Sequence, residues 1–181
     1  MVPLTYKIAT RETEFEAIHR LNYDTFVEEI PQHTANPARI LIDRFHAQNT
    51  YVICIDGPRM AGMICGRCAR PFSLDEKVAD LDRYLPAHRK AVEIRLLAIA
   101  QAYRKTTAFA GLIAFLYGHF RAQGCDLALI SATVRELKLY RHLGFQAFAE
   151  PVGSPGALYQ PMYLTLKALD RARSLKAPRS P

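Results

Sequence analysis

Residues 91–123 read AVEIRLLAIAQAYRKTTAFAGLIAFLYGHFRAQ, and this stretch decides the fold. Residues 91–100 form an apolar run with the length of a buried strand. From Thr106 to Gln123, apolar side chains recur every three or four residues, which predicts a helix with one buried face. The first N–H groups of a helix lack partners inside the helix, so a strand that passes through a basic loop into a helix predicts an anion site.

The loop between this strand and this helix carries the candidate anion-binding groups. Arg104 and Lys105 supply positive charge, and the hydroxyls of Thr106 and Thr107 can cap the helix or donate to an anion. Basic loops before helices are common, so an ordinary loop with a threonine cap is the alternative that these residues leave open.

The flanking sequence predicts an α/β fold in one domain over residues 1–169, followed by a basic tail over residues 170–181. Ser73 and Glu76 have the spacing of a helix capping box. Hairpins combine with a strand–helix–strand crossover, so the sheet should contain both parallel and antiparallel pairs. The other predicted strands span 4–9, 50–55, 60–68, 126–131, 145–148 and 159–166, and the other helices 12–30, 37–45, 73–85 and 134–142.

Composition and charge limit the classes of partner and the location that are expected for the chain. Its 181 residues carry a formal net charge of +7, which favours an acidic partner such as nucleic acid, anionic lipid, a phosphorylated cofactor or an acidic carrier protein. Aromatic residues do not alternate with basic ones, so no nucleic-acid partner is expected. The apolar stretch 108–120 is too short for a transmembrane segment and no signal peptide is recognisable, so we expect a cytoplasmic location.

The cysteines and histidines predict no metal site. Cys65 and Cys68 have C-x-x-C spacing, but a zinc site needs further ligands, and Cys54 and Cys125 stand alone in the sequence. In a cytoplasmic protein, all four are expected to be reduced thiols. The six histidines show no ligand spacing.

A second motif, LYRHLGF, occupies residues 139–145. Tyr140 lies at the end of a predicted short helix and could point into a cleft, where its hydroxyl could protonate a leaving thiolate. The alternative is a core aromatic residue whose hydroxyl reaches water.

The two motifs together resemble the GNAT superfamily of acyltransferases. Residues 97–107 (LAIAQAYRKTT) resemble its acyl-thioester-binding motif, and residues 139–145 resemble its motif with the catalytic tyrosine. The predicted element order is similar to the GNAT fold over residues 4–166. The resemblance implies a mixed central sheet of about six to seven strands with a splayed central pair, and about four helices.

The resemblance also implies roles for individual residues. Backbone groups at Leu97 and Ile99 would bind the pantetheine arm of the acyl donor, and Tyr140 would act as the general acid. The pyrophosphate of coenzyme A would lie at Arg104, Lys105, Thr106 and Thr107. However, Lys105 and Thr107 stand where the family has glycines in Arg-Gly-x-Gly or Arg-Gly-x-Ala. Because glycine lets a backbone approach a pyrophosphate closely, this departure puts ordinary coenzyme A binding in question.

Three segments point to one branch of the superfamily. Residues 20–29 (RLNYDTFVEE), 43–45 (DRF) and 93–96 (EIRL) resemble acyl-homoserine-lactone synthases and long-chain N-acyl amino acid synthases of bacteria. These relatives take acyl groups from acyl carrier protein, which is strongly acidic and presents phosphopantetheine without a nucleotide. The resemblance therefore implies acyl carrier protein as donor, with acyl-CoA as the alternative, and no tightly bound cofactor.

The expected function is an N-acyltransferase that moves a long acyl chain to the amine of an amino-acid-like acceptor. Glu93 is the candidate general base, and its alternative is a carboxylate paired with Arg95. Arg20, Glu28, Asp43 and Arg95 are candidates for acceptor binding. Two further functions stay open: an N-acetyltransferase that uses acetyl-CoA, and a GNAT-like domain that binds an acyl group or a carrier protein without turnover.

Overall fold

The computed structural model describes residues 3–154, 157–167 and 169. These residues form eight strands and three α-helices, which confirms the mixed α/β class with more strands and fewer helices than expected. The described residues form two compact units, one from those up to 67 together with 95–119, and the other from 68–94 together with those from 120 onward. The predicted tail at 170–181 lies outside the described residues, and the single domain over 1–169 stays a prediction.

The first unit contains an antiparallel sheet in sequence order. Strand β1 (Thr5–Ile8) pairs with β2 (Thr50–Asp56), and β2 forms a hairpin with β3 (Arg59–Arg67). The turn between β2 and β3 places Gly57 at a φ of 56°, where a side chain would be strained. The predicted hairpin is confirmed.

Helix α1 (Glu12–Tyr23) packs on this sheet, and the chain continues after it in a wider helical conformation. Asp24–Glu29 continue it as a π-helical turn, in which the Ile30 N–H donates to the Thr25 carbonyl at 2.9 Å. Ile18 of the helix is fully buried against a core that includes the strand residues Tyr51 and Met63. The prediction of one helix over 12–30 is therefore correct to Tyr23, and the remainder has wider helical geometry.

Two predicted helices are wrong, because polar side chains bind the backbone there instead. In 37–45, the Asp43 carboxylate accepts from the Phe45 N–H at 2.9 Å, and only a short 3₁₀ turn follows at His46–Gln48. In 73–85, the Ser73 hydroxyl donates to Glu93 at 2.6 Å instead of capping a helix, and only Leu81–Tyr84 form a 3₁₀ turn.

The second unit contains the parallel part of the sheet. Residues 91–94 of strand β4 (Ala91–Ile99) belong to this unit, and the strand pairs there in parallel with β5 (Leu127–Thr133). This ladder has only three register pairs, from Ala91 opposite Leu127 to Glu93 opposite Leu129, as a splayed central pair requires. Strand β5 also pairs antiparallel with β8 (Ala157–Thr165), so the prediction of a mixed sheet is confirmed.

Shorter elements complete the second unit. Strands β6 (Gln146–Ala147) and β7 (Val152–Ser154) both pair antiparallel with β8. The sequence analysis missed β7, which lies in a loop rich in proline and glycine. Helix α3 (Leu137–His142) follows β5 after a single 3₁₀ turn. The core of this unit contains Phe72, Leu74, Val78, Leu81, Ala91, Leu127 and Leu129.

Helix α2 (Ala108–Ala122) supplies a packing test. A Cβ on Gly111 would overlap the ring of Tyr6, whose hydroxyl donates to the Thr107 carbonyl at 3.1 Å, whereas a Cβ on Gly118 would meet no atom within 4 Å. We expect Gly111→Ala to lower the free energy of unfolding by about 1–3 kcal/mol, because the Tyr6 ring must move. Gly118→Ala should raise it by up to about 1 kcal/mol through helix propensity. Urea unfolding of both variants tests this, and equal effects would contradict the packing.

Glu14 at the start of α1 makes stability depend on acid. Burial alone would raise the pKa of this carboxyl, but hydrogen bonds from Lys7, from the Thr10 N–H and from Arg11 outweigh it and lower the pKa from 4.5 to about 2. A depressed pKa stabilises the folded state above the unfolded pKa, and that stabilisation is lost as the pH falls from 4.5 towards 2.

We therefore expect Glu14→Gln to unfold more easily at neutral pH and to lose less stability than the wild type between pH 4.5 and pH 2. Glu16→Gln, at an exposed position of the same helix, is the control and should follow the wild-type profile. Denaturant midpoints measured across this pH range provide the comparison, and parallel profiles for Glu14→Gln and the wild type would refute it.

Candidate active site

Strand β4 has a left-handed residue in its middle. Leu96 has a φ of 53°, a conformation that costs a non-glycine residue about 1–2 kcal/mol. Such a residue interrupts the regular alternation of a strand and redirects the backbone that follows, here Leu97 to Ile99. Leu97 and Ile99, the predicted pantetheine-binding positions, are half-buried, and the Ile99 carbonyl accepts a hydrogen bond from Arg104 Nε at 3.1 Å.

The loop after β4 uses most of its own donors. Gln101–Tyr103 form a 3₁₀ turn, and the Thr106 N–H and hydroxyl both donate to the Tyr103 carbonyl, at 3.1 and 2.6 Å. The Thr106 hydroxyl oxygen in turn accepts from the Ala108 N–H at 3.2 Å, so Thr106 caps α2. Thr106 therefore caps the helix, as the alternative to anion binding predicts, whereas the side chains of Lys105 and Thr107 are exposed.

Arg104 already has an anionic partner. Its guanidinium forms an ion pair with Glu29, at the end of the π-helical turn, and both side chains are about two-fifths exposed. An incoming phosphate would have to compete with the Glu29 carboxylate for this cation. The role of Arg104 in pyrophosphate binding stays a prediction.

Two of the acceptor-side candidates bind each other. Arg95 Nη1 donates to Asp43 Oδ1 at 2.8 Å, and the two side chains are only 18% and 8% exposed. Asp43 Oδ1 also accepts from Asn49 Nδ2 at 2.9 Å. The Arg95 guanidinium lies 4.8 Å from the centre of the Phe45 ring, which fixes its plane by a cation–π contact. The pair thus presents an ordered guanidinium on β4.

The other two acceptor-side candidates lie apart from this pair in the chain. Glu28 forms an ion pair of 2.5 Å with Arg39, and both side chains are well exposed. Arg20 is exposed in the last turn of α1. Among the described residues, neither Glu28 nor Arg20 forms a hydrogen bond with Asp43 or Arg95.

Glu93 holds a neighbouring segment of the second unit. Its carboxylate accepts from the Ser73 N–H at 2.9 Å, from the Ser73 hydroxyl at 2.6 Å and from the Leu74 N–H at 3.1 Å, and the residue is 1% exposed. These three donors stabilise the charged carboxylate. They fix the segment after Phe72 to β4, while the proposed role of Glu93 as a general base stays a prediction.

Tyr140, in the second motif, is partly buried. It lies half-buried in α3, and its ring packs edge-on against Phe145, with ring centres 6.1 Å apart. Burial raises the pKa of the Tyr140 hydroxyl, and the Glu136 carboxylate raises it further, so the phenol is protonated at neutral pH. Within the described part of the chain, this hydroxyl has no hydrogen-bond partner.

Several features of this region could not be predicted from the sequence. Leucine does not mark a left-handed residue as glycine does, so Leu96 gave no signal. Ser73 lies twenty positions from Glu93, and a contact over that distance leaves no local pattern.

Among the described residues, no group of three or more histidine, cysteine, aspartate or glutamate side chains could hold a metal ion. No helix among them has the length and apolarity to cross a membrane.

Comparison with known proteins gives one family. A model of the family described as N-acyl amino acid synthase FeeM matches residues 17–167. No curated protein sequence matches the chain.

Solved structures share the fold at low sequence identity. The CoA-dependent acyl-homoserine lactone synthase BjaI, with SAM and isopentyl-CoA, aligns with a TM-score of 0.79 at 18% identity over 96% of this chain and 89% of its own. FeeM, an N-acyl amino acid synthase from uncultured soil microbes, aligns at 0.71 and 16% over 95% and 93%. A protein described as an acetyltransferase of the GNAT family from Desulfovibrio desulfuricans aligns at 0.65 and 14% over 91% and 99%.

The contacts of Glu93 predict a structural cost for its neutralisation. Glu93→Gln replaces one accepting oxygen by an NH₂ group that faces donors, so we expect the free energy of unfolding to fall by about 2–4 kcal/mol. Ser73→Ala removes only the hydroxyl donor and should cost about 1 kcal/mol. Urea midpoints of the two variants, and of the double variant, measure the coupling. Additive effects would show that the Ser73 hydroxyl does not stabilise the Glu93 carboxylate.

Proposed function

Because the chain belongs to the family of the N-acyl amino acid synthase FeeM and is an N-acyltransferase, we propose that it acylates the amine of an amino-acid-like acceptor. The proposed donor is a long acyl chain on the phosphopantetheine arm of an acyl carrier protein. The observation that carries the proposal is the half-buried Tyr140, whose hydroxyl is protonated and has no partner among the described residues.

The proposed reaction is a direct transfer. The neutral amine nitrogen attacks the thioester carbonyl carbon, the carbon–sulfur bond breaks, and the thiolate leaves. Tyr140 donates its proton, or a hydrogen bond, to that sulfur. The raised pKa makes the Tyr140 phenol a weaker acid. Poor solvation in the same surroundings also makes the leaving thiolate a stronger base, so the proton can still pass from the phenol to the sulfur. The amine loses its proton to a base, for which Glu93 is the candidate.

The loop after β4 supports a donor without a nucleotide. In the loop before this helix, the Thr106 N–H and hydroxyl bind the Tyr103 carbonyl and Arg104 pairs with Glu29, so a pyrophosphate would have to displace these contacts to use the groups. Glycines are also absent at positions 105 and 107. Phosphopantetheine on a carrier protein carries no pyrophosphate and would not need these groups.

The charge of the chain supports the same donor. With a net charge of +7, the protein attracts an acidic partner at long range, and acyl carrier proteins are acidic. BjaI, which has the same fold, is CoA-dependent, so acyl-CoA is the donor against which the proposal has to be tested.

The ordered pair of Arg95 and Asp43 supports an acceptor that carries a carboxylate. Asp43 binds the Arg95 guanidinium through Nη1 and the Phe45 ring lies against it, so an acceptor carboxylate would pair with the other N–H donors of Arg95. Asp43 could in turn attract the amine of the same acceptor. Arg20 and Glu28 are further acceptor-side candidates.

The proposal predicts a product that depends on Tyr140. Lipid extracts of bacteria that express the protein should contain new N-acyl amino acids, as detected by mass spectrometry. Tyr140→Phe keeps the ring against Phe145 and removes only the hydroxyl, so the fold should persist while product falls by about 10²–10⁴-fold, the usual contribution of a general acid.

Phe145→Leu, which changes the packing partner and leaves the hydroxyl in place, is the matched control and should retain product. Circular dichroism establishes that each variant is folded. If the extracts of the wild type and of folded Tyr140→Phe are the same, the proposed role of Tyr140 is wrong.

A further inference from the structure

Two thiols that are far apart in the sequence meet in the second unit. Cys68 follows directly after β3, and Cys125 lies two residues before β5. Their sulfur atoms are 3.4 Å apart, at van der Waals contact, although 57 positions separate them in the chain. In the sequence, the C-x-x-C spacing associates Cys68 with Cys65, so the contact between Cys68 and Cys125 was not predicted.

We propose that Cys68 and Cys125 are a redox site, which a low-molecular-weight disulfide oxidises to a reversible intramolecular disulfide. The site is independent of the proposed acyl transfer. A sulfur–sulfur bond is about 2.05 Å long, so small movements of the two side chains would suffice to form it. Intracellular disulfides of this kind are typically transient and regulatory.

The two thiols differ in ways that assign their roles. Cys68 is half-buried, so a soluble oxidant can reach its sulfur. Cys125 is fully buried, and burial, followed by the neighbouring Cys68, raises the pKa of its thiol to about 12. Only the thiolate attacks a disulfide, so Cys68 reacts first and Cys125 acts second.

The chemistry balances with one disulfide as the oxidant. The Cys68 thiolate attacks one sulfur of the small disulfide, which releases one small thiol and leaves a mixed disulfide on Cys68. Cys125 then attacks the Cys68 sulfur and its proton passes to the departing small thiolate, which forms the internal bond and releases the second small thiol. Two protein thiols are oxidised and one small disulfide is reduced to two thiols.

The other two cysteines have different surroundings. Cys54 and Cys65 lie fully buried in β2 and β3 of the first unit. The Cys65 thiol donates to the Arg95 carbonyl at 3.5 Å, and burial raises the pKa of the Cys54 thiol. A buried thiol of this kind reacts slowly with a soluble oxidant, so these two serve as internal controls.

Oxidation would stiffen the second unit. The bond would join the chain shortly before Ser73 and Leu74, which Glu93 holds, to the chain just before β5. Cross-linking positions that are 57 residues apart restricts the unfolded chain strongly. We expect the oxidised protein to melt roughly 5–15 °C higher than the reduced protein.

The experiment incubates the full-length protein with oxidised glutathione and then blocks free thiols by alkylation. After alkylation, intact mass should show two fewer alkyl groups than in the reduced protein, and peptide mapping without reductant should show a Cys68–Cys125 bond. The melting temperature should stay raised until reductant is added. The rate should rise with pH, because both steps need thiolate.

Variants separate the proposal from general thiol oxidation. Cys125→Ser should stop at a glutathione adduct on Cys68, and Cys68→Ser, at the half-buried position, should give neither adduct nor internal bond. The double variant Cys54→Ser/Cys65→Ser should form the Cys68–Cys125 bond as the wild type does. If that double variant does not fold, peptide mapping of the wild type identifies the bonded pair by itself. Failure to find the bond in folded wild-type protein, or a bond that involves Cys54 or Cys65, would overturn the proposal.

Discussion

The constraint on which the rest of the structure depends is the change of backbone conformation within strand β4. The strand pairs in parallel with β5 over Ala91–Glu93, and three residues after Glu93 the chain turns left-handed at Leu96. A leucine in that conformation costs free energy that the surrounding packing must offset. Two residues of this strand, on either side of Ile94, make its main polar contacts. The Glu93 carboxylate holds the segment after Phe72, and the Arg95 guanidinium pairs with Asp43.

Most polar groups near β4 bind one another. Arg95 binds Asp43, Arg104 binds Glu29, and Thr106 caps its own helix. The Arg95–Asp43 pair is largely buried, so its contact orders both side chains, whereas Arg104 and Thr106 are exposed. The proposed role of Tyr140 rests on a protonated hydroxyl without a hydrogen-bond partner among the described residues.

The fold could be predicted largely from periodicity and turn residues. The apolar run at Ala91–Ile99 and the three-to-four spacing of helix α2 both form the elements that they predict. The helices predicted at 37–45 and 73–85 are wrong because the Asp43 side chain binds the nearby Phe45 N–H and the Ser73 hydroxyl binds the distant Glu93.

The candidate site could be predicted less completely. Motif spacing indicated Tyr140, Arg104 and Glu93, but the partners of Arg104 and Glu93 lie 75 and 20 positions away and depend on the folded chain. The alternative to a general base for Glu93 was a pair with Arg95, and the structure gives Arg95 a salt bridge with Asp43. Contacts between distant residues decide the charge that a site presents, and one sequence does not record them.

The most direct test of the central claim uses purified protein and two donors of the same long acyl chain, one on acyl carrier protein and one on coenzyme A. Free thiol released in the presence of amino acids is measured, together with the mass of the acylated product. The account predicts thiol release that requires the amine and is faster with the carrier-protein donor. Absence of amine-dependent thiol release with both donors would contradict the acyltransferase account, and faster release from coenzyme A would contradict the proposed donor.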